Sequence, residues 1–280
     1  MNIKQAILLR KSIRTYKNEP LSKDLRDKLE DYIKNVKGPF GTNMRFMMID
    51  TDIAVSGAKL GTYGVISGAR TFICAVVEPE ERYEENLGYA FEKIILYATS
   101  LGLGTCWLGG TFNRSGFSDA AGLKDKEFMP VITPVGYPGE KRSFVDQVFV
   151  MTAGSRTRKN WSELFFDKSF DKPLNEAGAE HFREALEMVR LAPSASNKQP
   201  WRIVKDGDIL HFFIKRSVAY KNVVGFDIQR LDMGIAMCHL ELTMNDLGYN
   251  GDWLDIDPKF SSDKNTGYII SYKLKISENS

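Results

Sequence analysis

The sequence predicts an α+β fold made of two tandem half-units packed into one pseudo-dimeric globule. Three observations predict it: a long internal repeat, amphipathic helices alternating with short apolar runs inside each copy, and an ordinary globular composition. Residues 16–50 (YKNEPLSKDLRDKLEDYIKNVKGPFGTNMRFMMID) have a second version in residues 170–204 (FDKPLNEAGAEHFREALEMVRLAPSASNKQPWRIV). Pro20 falls on Pro173, 153 positions later, and Pro39 and Asn43 fall on Pro193 and Asn197 at a spacing of 154. The apolar stripe Leu29, Ile33, Val36 falls on Phe182, Leu186, Val189. A second block, residues 86–107, maps onto residues 232–253 at a spacing of 146, pairing Gly88 with Gly234, Leu101-Gly102 with Leu247-Gly248, and Trp107 with Trp253. Helical periodicity alone does not align Pro, Gly, Asn and Trp as well, so the correspondence marks a repeat.

Each element follows from local pattern. Ser22 and Asn175 occupy matched positions and are both good N-cap residues ahead of their helical stripes. In the second block Leu87, Phe91, Ile94, Ala98 and Leu101 recur at helical spacing. Strand-like runs cover Met44 to Ile49, Phe72 to Val77, Val131 to Val135, Ile209 to Ile214 and Tyr268 to Ile276, the last alternating apolar and polar residues. Each half thus reads helix, strand, strand, helix, strand. Such a layer is too small to cover both of its faces, so two of them are expected to pack about a pseudo-twofold axis, as in a homodimer. Residues 151–168 join the halves, and we place the boundary so that residues 1–166 form the N-terminal half and 167–280 a shorter C-terminal half.

Composition narrows the function. The chain has 280 residues, and 38 Lys+Arg against 36 Asp+Glu leave a net charge of +2. Without a basic face or a Lys/Arg run, a nucleic-acid or membrane-surface role is not expected. No apolar run approaches the ~18 residues of a membrane span, and the opening MNIKQAILLRKSIRTY lacks a signal core. The chain reads as soluble and cytoplasmic. Cys74, Cys106 and Cys238 are too scattered for a disulfide framework or a CxxC pair, and Cys106 reads as a packed thiol. No metal-ligand spacing is present. His181, His211 and His239 form no triad with each other or with a cysteine and read as surface residues.

Four segments carry chemistry. Arg10-Lys11-Ser12-Ile13-Arg14 gathers cations, a hydroxyl and backbone N–H groups that suit a phosphate, though alone it also reads as a solvated basic turn. Ala192-Pro193-Ser194-Ala195-Ser196-Asn197-Lys198-Gln199-Pro200-Trp201 ends a helix and lets backbone approach a planar ligand, or is simply a loop rich in turn formers. Gly102-Leu103-Gly104-Thr105-Cys106-Trp107-Leu108-Gly109-Gly110 is not a dinucleotide fingerprint, because it follows a helix and has Trp107 where the third glycine belongs. Gly109-Gly110 reads instead as backbone open to a ligand edge. Arg156-Thr157-Arg158, with an alternative pair at Lys141-Arg142, suits a second phosphate clamp or a solvated linker. Trp107, Phe112, Trp161, Trp201 and Tyr63 are candidates for a substrate wall, although such aromatics more often belong to a core.

Together these segments resemble the FMN-dependent nitroreductase family: RKSIRTYKNEPL its opening phosphate motif, APSASNKQPWRI its flavin-edge loop, LGLGTCWLGG with the later VGYP turn its helix and strand, and SRTRKNWSEL its basic closing segment. The resemblance implies a nitroreductase-like αβα sandwich with FMN at a subunit interface. It implies that Arg10, Lys11, Ser12 and Arg14 contact the phosphate, ribityl chain and pyrimidine edge, and that Gly109 and Gly110, with Leu108 beside them, face the flavin near N5 and O4. Arg156 and Arg158 would close over the phosphate, and Pro193, Ser194, Ala195, Ser196 and Asn197 would come from the facing unit. It further implies ping-pong transfer from NADH or NADPH to a nitroaromatic, quinone or similar small acceptor, with no side chain as obligatory acid or base. A non-catalytic FMN-binding or storage protein is the rival reading.

The sequence departs from that pattern in an informative way. The first half has Gly38-Pro39-Phe40-Gly41-Thr42-Asn43 where the polar loop belongs. The second has Lys168-Ser169-Phe170 in place of RxSxR and Trp253-Leu254-Asp255-Ile256 in place of Trp107-Leu108-Gly109-Gly110. Complementary parts thus survive on opposite halves, which implies a fused pseudo-dimer with one FMN per chain. Such a chain is expected to be a monomer or to dimerise as a whole.

Overall fold

The two copies of the repeat fold into two sheets with the same internal order. The computed structural model describes residues 1–51, 60–140, 157–217, 225–260 and 263–275. The first half contains α1 (Ile3–Leu9), α2 (Lys23–Asn35), β1 (Met44–Asp50), β2 (Thr71–Val77), α3 (Tyr83–Ser100), β3 (Gly104–Thr105), α4 (Arg114–Ala121) and β4 (Phe128–Gly136). After these come α5 (Trp161–Leu164), β5 (Phe165–Asp167), a 3-10 turn (Ala177–Phe182), α6 (Arg183–Leu191), β6 (Trp201–Asp206), β7 (Ile209–Lys215), α7 (Ile228–Asp246), β8 (Asn250–Leu254) and β9 (Thr266–Lys275). One sheet runs β1-β2-β4-β3, and the other runs β5-β6-β7-β9-β8. With β5 set aside, the second order is the first repeated, so the α+β fold of two tandem half-units is what the chain adopts. β5 pairs in parallel with β6, through Phe165 opposite Ile203, so the segment that closes the first half adds an outer strand to the second half's sheet. The boundary after residue 166 falls inside this strand.

Local chemistry explains the matched helices. Ser22 Oγ accepts from Leu25 N at 3.4 Å and starts α2, which buries Leu29 and Ile33 of the stripe. Asn175 Oδ1 accepts from Gly178 N at 2.7 Å and starts the 3-10 turn that leads into α6, where Leu186 and Val189 are buried. The five strand-like runs lie in strands, except that Ile276 at the end of the last lies outside the described residues. β6, β8 and the short β3 and β5 escaped the pattern. In β6, Arg202 and Lys205 interrupt the apolar run yet are only 8% and 7% exposed. β8 (NGDWL) is a polar edge strand, paired only with β9.

The core lies where the two long helices cross. α3 and α7 are buried over most of their circumference, as befits central helices. A Cβ on Gly88 would lie 2.0 Å from Leu231 O, and a Cβ on Gly234 would lie 2.0 Å from Glu85 O. The two glycines let the backbones touch, and each faces a carbonyl at the equivalent place on the other copy. Among the described residues no helix is long and apolar enough to cross a membrane, and Cys74, Cys106 and Cys238 are free and buried.

Because backbone cannot retreat from a methyl at 2.0 Å, Gly88→Ala and Gly234→Ala should each cost about 3 kcal/mol or more in urea denaturation. A loss below about 0.5 kcal/mol, the size of an ordinary surface substitution, would contradict the crossing.

Candidate functional site

The opening basic motif is held at both ends. α1 begins with a capping box, Gln5 N donating to Asn2 Oδ1 at 2.9 Å, and ends at Arg10, whose N–H donates to Ala6 O. The chain then extends. Ile13 N donates to Thr105 O at 2.8 Å, Ser67 N to Arg14 O at 2.9 Å, and Tyr16 N to Ser67 O at 2.9 Å. Gly104 permits this, since a Cβ there would come within 2.9 Å of the Ile13 side chain. Lys11 is exposed, while Ser12 and Arg14 are half-buried. The Arg10 side chain is only 8% exposed, its Nε has no hydrogen-bond partner, and it stands 4.0 Å from Glu92 Oε1.

Arg158 joins Arg10 from the far end of the first half. Its Nη2 donates to Leu191 O at 3.1 Å and its Nη1 to Asn197 Oδ1 at 3.3 Å. Burial first, then the positive charges of Arg10 and Arg190, pull its guanidinium down to about 10. Arg190 is itself paired with Glu187 at 2.6 Å. Arg156, Lys141 and Arg142 lie outside the described residues.

The loop from Pro193 to Gln199 is stitched onto the same segment. Asn197 Nδ2 donates to Thr157 O at 2.9 Å, and Lys159 N donates to Gln199 Oε1 at 2.9 Å. Gln199 N in turn donates to Ser194 Oγ at 2.8 Å. Ser196, Asn197 and Gln199 have φ of 44°, 55° and 49°. Three non-glycine residues in the left-handed region cost about 1–3 kcal/mol each, and such strain is concentrated at ligand sites. Ala195 N donates to Asp232 on α7 at 3.0 Å. Asn86, the matched residue on α3, does the same for the first half: Phe40 N donates to its Oδ1 at 2.9 Å, and its Nδ2 donates to Thr42 Oγ1 at 2.6 Å. Asp232 is 2% exposed, and burial pushes its carboxyl well above the usual range.

The glycine pair follows β3. Leu108 exchanges both backbone hydrogen bonds with Ile132 on β4, each at 3.0 Å, and Arg114 Nη2 donates to Gly109 O at 2.7 Å. A Cβ on Gly109 would come 3.3 Å from Ile228 Cδ1, so this glycine packs on the first turn of α7, while Gly110 is exposed.

Two histidine readings need correction. His211 and His239 are 4% and 0% exposed, not surface residues. His211 Nδ1 lies 2.7 Å from Ser271 Oγ, and His239 lies between Met188 O and Glu92 Oε1, each at 2.9 Å. Helical alignment put His239 on a polar face, but that face is covered by α1, α3 and α6. Glu92 and Asp232 were missed as well. Their one signal was an acidic residue beside the apolar stripe of a long helix. Of the candidate wall aromatics, Trp201 and Phe112 are core at 0% and 4% exposure, whereas Tyr63 is 73% exposed.

The equivalent places in the second copy are filled differently. Phe170 packs edge-on against Phe166 and Phe213, with centroids 5.4 and 5.0 Å away. Asp255 pairs with Arg82 at 2.6 Å. Among the described residues no group of three or more His, Cys, Asp or Glu could hold a metal.

Comparison with known proteins gives a consistent picture. The family described as "Putative TM nitroreductase" matches residues 2–244. A putative nitroreductase of Thermotoga maritima has a similar fold, with a TM-score of 0.63 and 21% identity over 98% of this chain and 93% of that one. A nitroreductase family protein of Clostridium novyi NT is 25% identical, covering 52% of this chain and 91% of its own at a TM-score of 0.41. A nitroreductase with bound FMN from Bacteroides fragilis is 18% identical, covering 51% and 92% at 0.42. No curated protein matches.

Asp232 supplies a stability test. Its folded carboxyl holds a proton at pH values where the unfolded one, at about 3.8, has lost it. Stability is therefore greatest below that value and falls as pH rises through the folded one. Asp232→Asn keeps an acceptor for Ala195 N and removes this term. Denaturation at pH 8 should show the variant more stable by about 1–3 kcal/mol, with the gap closing toward pH 4. A gap that is constant with pH would contradict the assignment.

Proposed function

The chain belongs to the putative TM nitroreductase family, and on that footing we propose that it is an FMN-dependent oxidoreductase. It passes a hydride from NADH or NADPH to a nitroaromatic, quinone or similar small acceptor in a ping-pong cycle. The observation that carries this reading is the approach of the buried Arg10 side chain to the half-buried Arg158, whose charge Arg10 disfavours. A phosphate dianion between them relieves that repulsion, and bidentate guanidinium contacts suit it.

The remaining donors fit the rest of a flavin mononucleotide. Ser12 and Arg14, held beside β3, offer a hydroxyl and a cation to the ribityl chain and the pyrimidine edge. Gly109 and Gly110 present backbone without a side chain in the way. Pro193, Ser194, Ala195, Ser196 and Asn197 offer a rigid loop edge from the other half, shaped by its left-handed turn. Bound FMN supplies the hydride chemistry that no side chain here can. The protein's part is to grip the phosphate, orient the ring and leave one face open to small acceptors.

One such site forms per chain in this proposal. The N-terminal half, residues 1–166, contributes the cations and the glycine pair, and residues 167–280 contribute the loop. At the opposite pseudo-symmetric place Phe170 and Asp255 are engaged within the fold. A single chain is then a complete unit, whether it stays monomeric or dimerises further.

The test is direct. Purified with flavin, the protein should hold one FMN per chain, bleach when NADPH or NADH is added without oxygen, and recover its visible absorbance when a nitroaromatic follows. Flavin that stays oxidised would favour a binding or storage role instead, and two FMN per chain would refute the single site. Arg10→Ala and Arg158→Ala should each weaken FMN binding by about tenfold or more, the scale of a lost charge-assisted hydrogen bond.

A further inference from the structure

We propose that Glu92 and His239 are positioning residues for Arg10: a buried pair that shares one proton and so keeps Glu92 from neutralising the cation intended for the ligand's phosphate. This rests on the phosphate reading of Arg10 and Arg158.

Three other segments converge on Glu92, which is fully buried. Trp107 Nε1 donates to its Oε2 at 2.8 Å, and Arg10 Nε stands 4.0 Å from its Oε1. His239 Nε2, on α7, lies 2.9 Å from the same Oε1, and His239 Nδ1 lies 2.9 Å from Met188 O on α6. A carbonyl oxygen only accepts, so Nδ1 carries a hydrogen. Nε2 then faces a carboxylate oxygen at hydrogen-bond distance. Two lone pairs cannot meet there, so a second proton lies between Nε2 and Oε1. Whichever atom holds it, acid plus imidazole or carboxylate plus imidazolium, the pair is net neutral.

The consequence concerns Arg10. A lone Glu92 carboxylate at this distance and burial would be a full counter-charge to Arg10. It would cancel much of the attraction that Arg10 and Arg158 exert on an anion. With His239 in place that charge is already balanced, while the oxygen stays 4.0 Å from Arg10 Nε. His239 therefore keeps the cation available without touching the ligand.

Other titratable groups near the pair are otherwise engaged. Burial holds the Cys238 thiol protonated. On α7, Glu241 accepts from Tyr89 and Trp253, and on α3, Lys93 lies over the Tyr89 ring. On α6, Glu187 is paired with Arg190. All of these are common to the variants compared below.

The experiment measures FMN dissociation constants by flavin fluorescence for the full chain at pH 8. Wild-type protein that binds no FMN refutes the flavin reading itself, before any variant is compared. Given binding, His239→Gln should weaken it tenfold or more at pH 8. A mere packing defect at His239 would not be repaired by a second substitution at Glu92. Glu92→Gln, which can donate to His239 Nε2 and accept from Trp107, should bind within about threefold of wild type. The double variant, Glu92→Gln with His239→Gln, should regain most of what His239→Gln loses. The inference is overturned if His239→Gln binds as tightly as wild type, or if the double variant binds no better than His239→Gln. It is also overturned if Glu92→Gln alone loses tenfold, which would make Glu92 a plain ion-pair partner. That last comparison decides the matter even if His239→Gln does not fold.

Discussion

The contact between Gly88 and Gly234 sets the geometry on which everything else depends. At this crossing each helix backbone touches a carbonyl of the other, and any side chain would force the helices apart. That closeness brings Glu92 on α3 within reach of His239 on α7, and Glu85 within reach of Arg230. A separation larger by even one methyl would break both hydrogen bonds at once, because the interior is packed without slack. The pseudo-twofold is thus a property of two backbone contacts, each formed by a glycine and a carbonyl three residues before the other glycine.

The same helices then use one side-chain position twice. Asn86 and Asp232, matched in the repeat, each accept a backbone N–H from the loop between helix and strand. In the first half that loop is short of polar groups. In the second it is a strained turn knitted to Thr157, Arg158 and Lys159. The carboxyl of Asp232 is costly where it is buried, and its hydrogen bond to Ala195 N is what holds the strained loop against α7. Repetition supplies the frame, and divergence at matched positions supplies the site.

Charge is handled in the same economical way. Arg158 lies within the field of both Arg10 and Arg190, and Arg190 is itself paired with Glu187. The net charge of +2 is no guide to this, because surface ion pairs cancel in the total while the buried cations act locally.

Much of this was legible in the sequence, and for identifiable reasons. Proline, glycine, asparagine and tryptophan mark places where backbone geometry is special, so their repetition at spacings of 146 to 154 residues revealed two copies of one unit and its helix and strand order. The basic motif, the glycine pair and the loop stand out because their chemistry is local to a few consecutive residues. What sequence could not supply is proximity. β6 and β8 are strands because their neighbours pair with them, despite charged or polar residues within. His239 is buried because α1, α3 and α6 cover a face that looks polar along its own helix. Glu92 and Asp232 gain their roles from partners on other elements, 147 residues away for His239 and Glu92. Local conformational preference is written in neighbouring residues and can be read there. Burial and the sharing of protons or charge arise only when distant segments exclude water together, and those the tertiary structure alone decided.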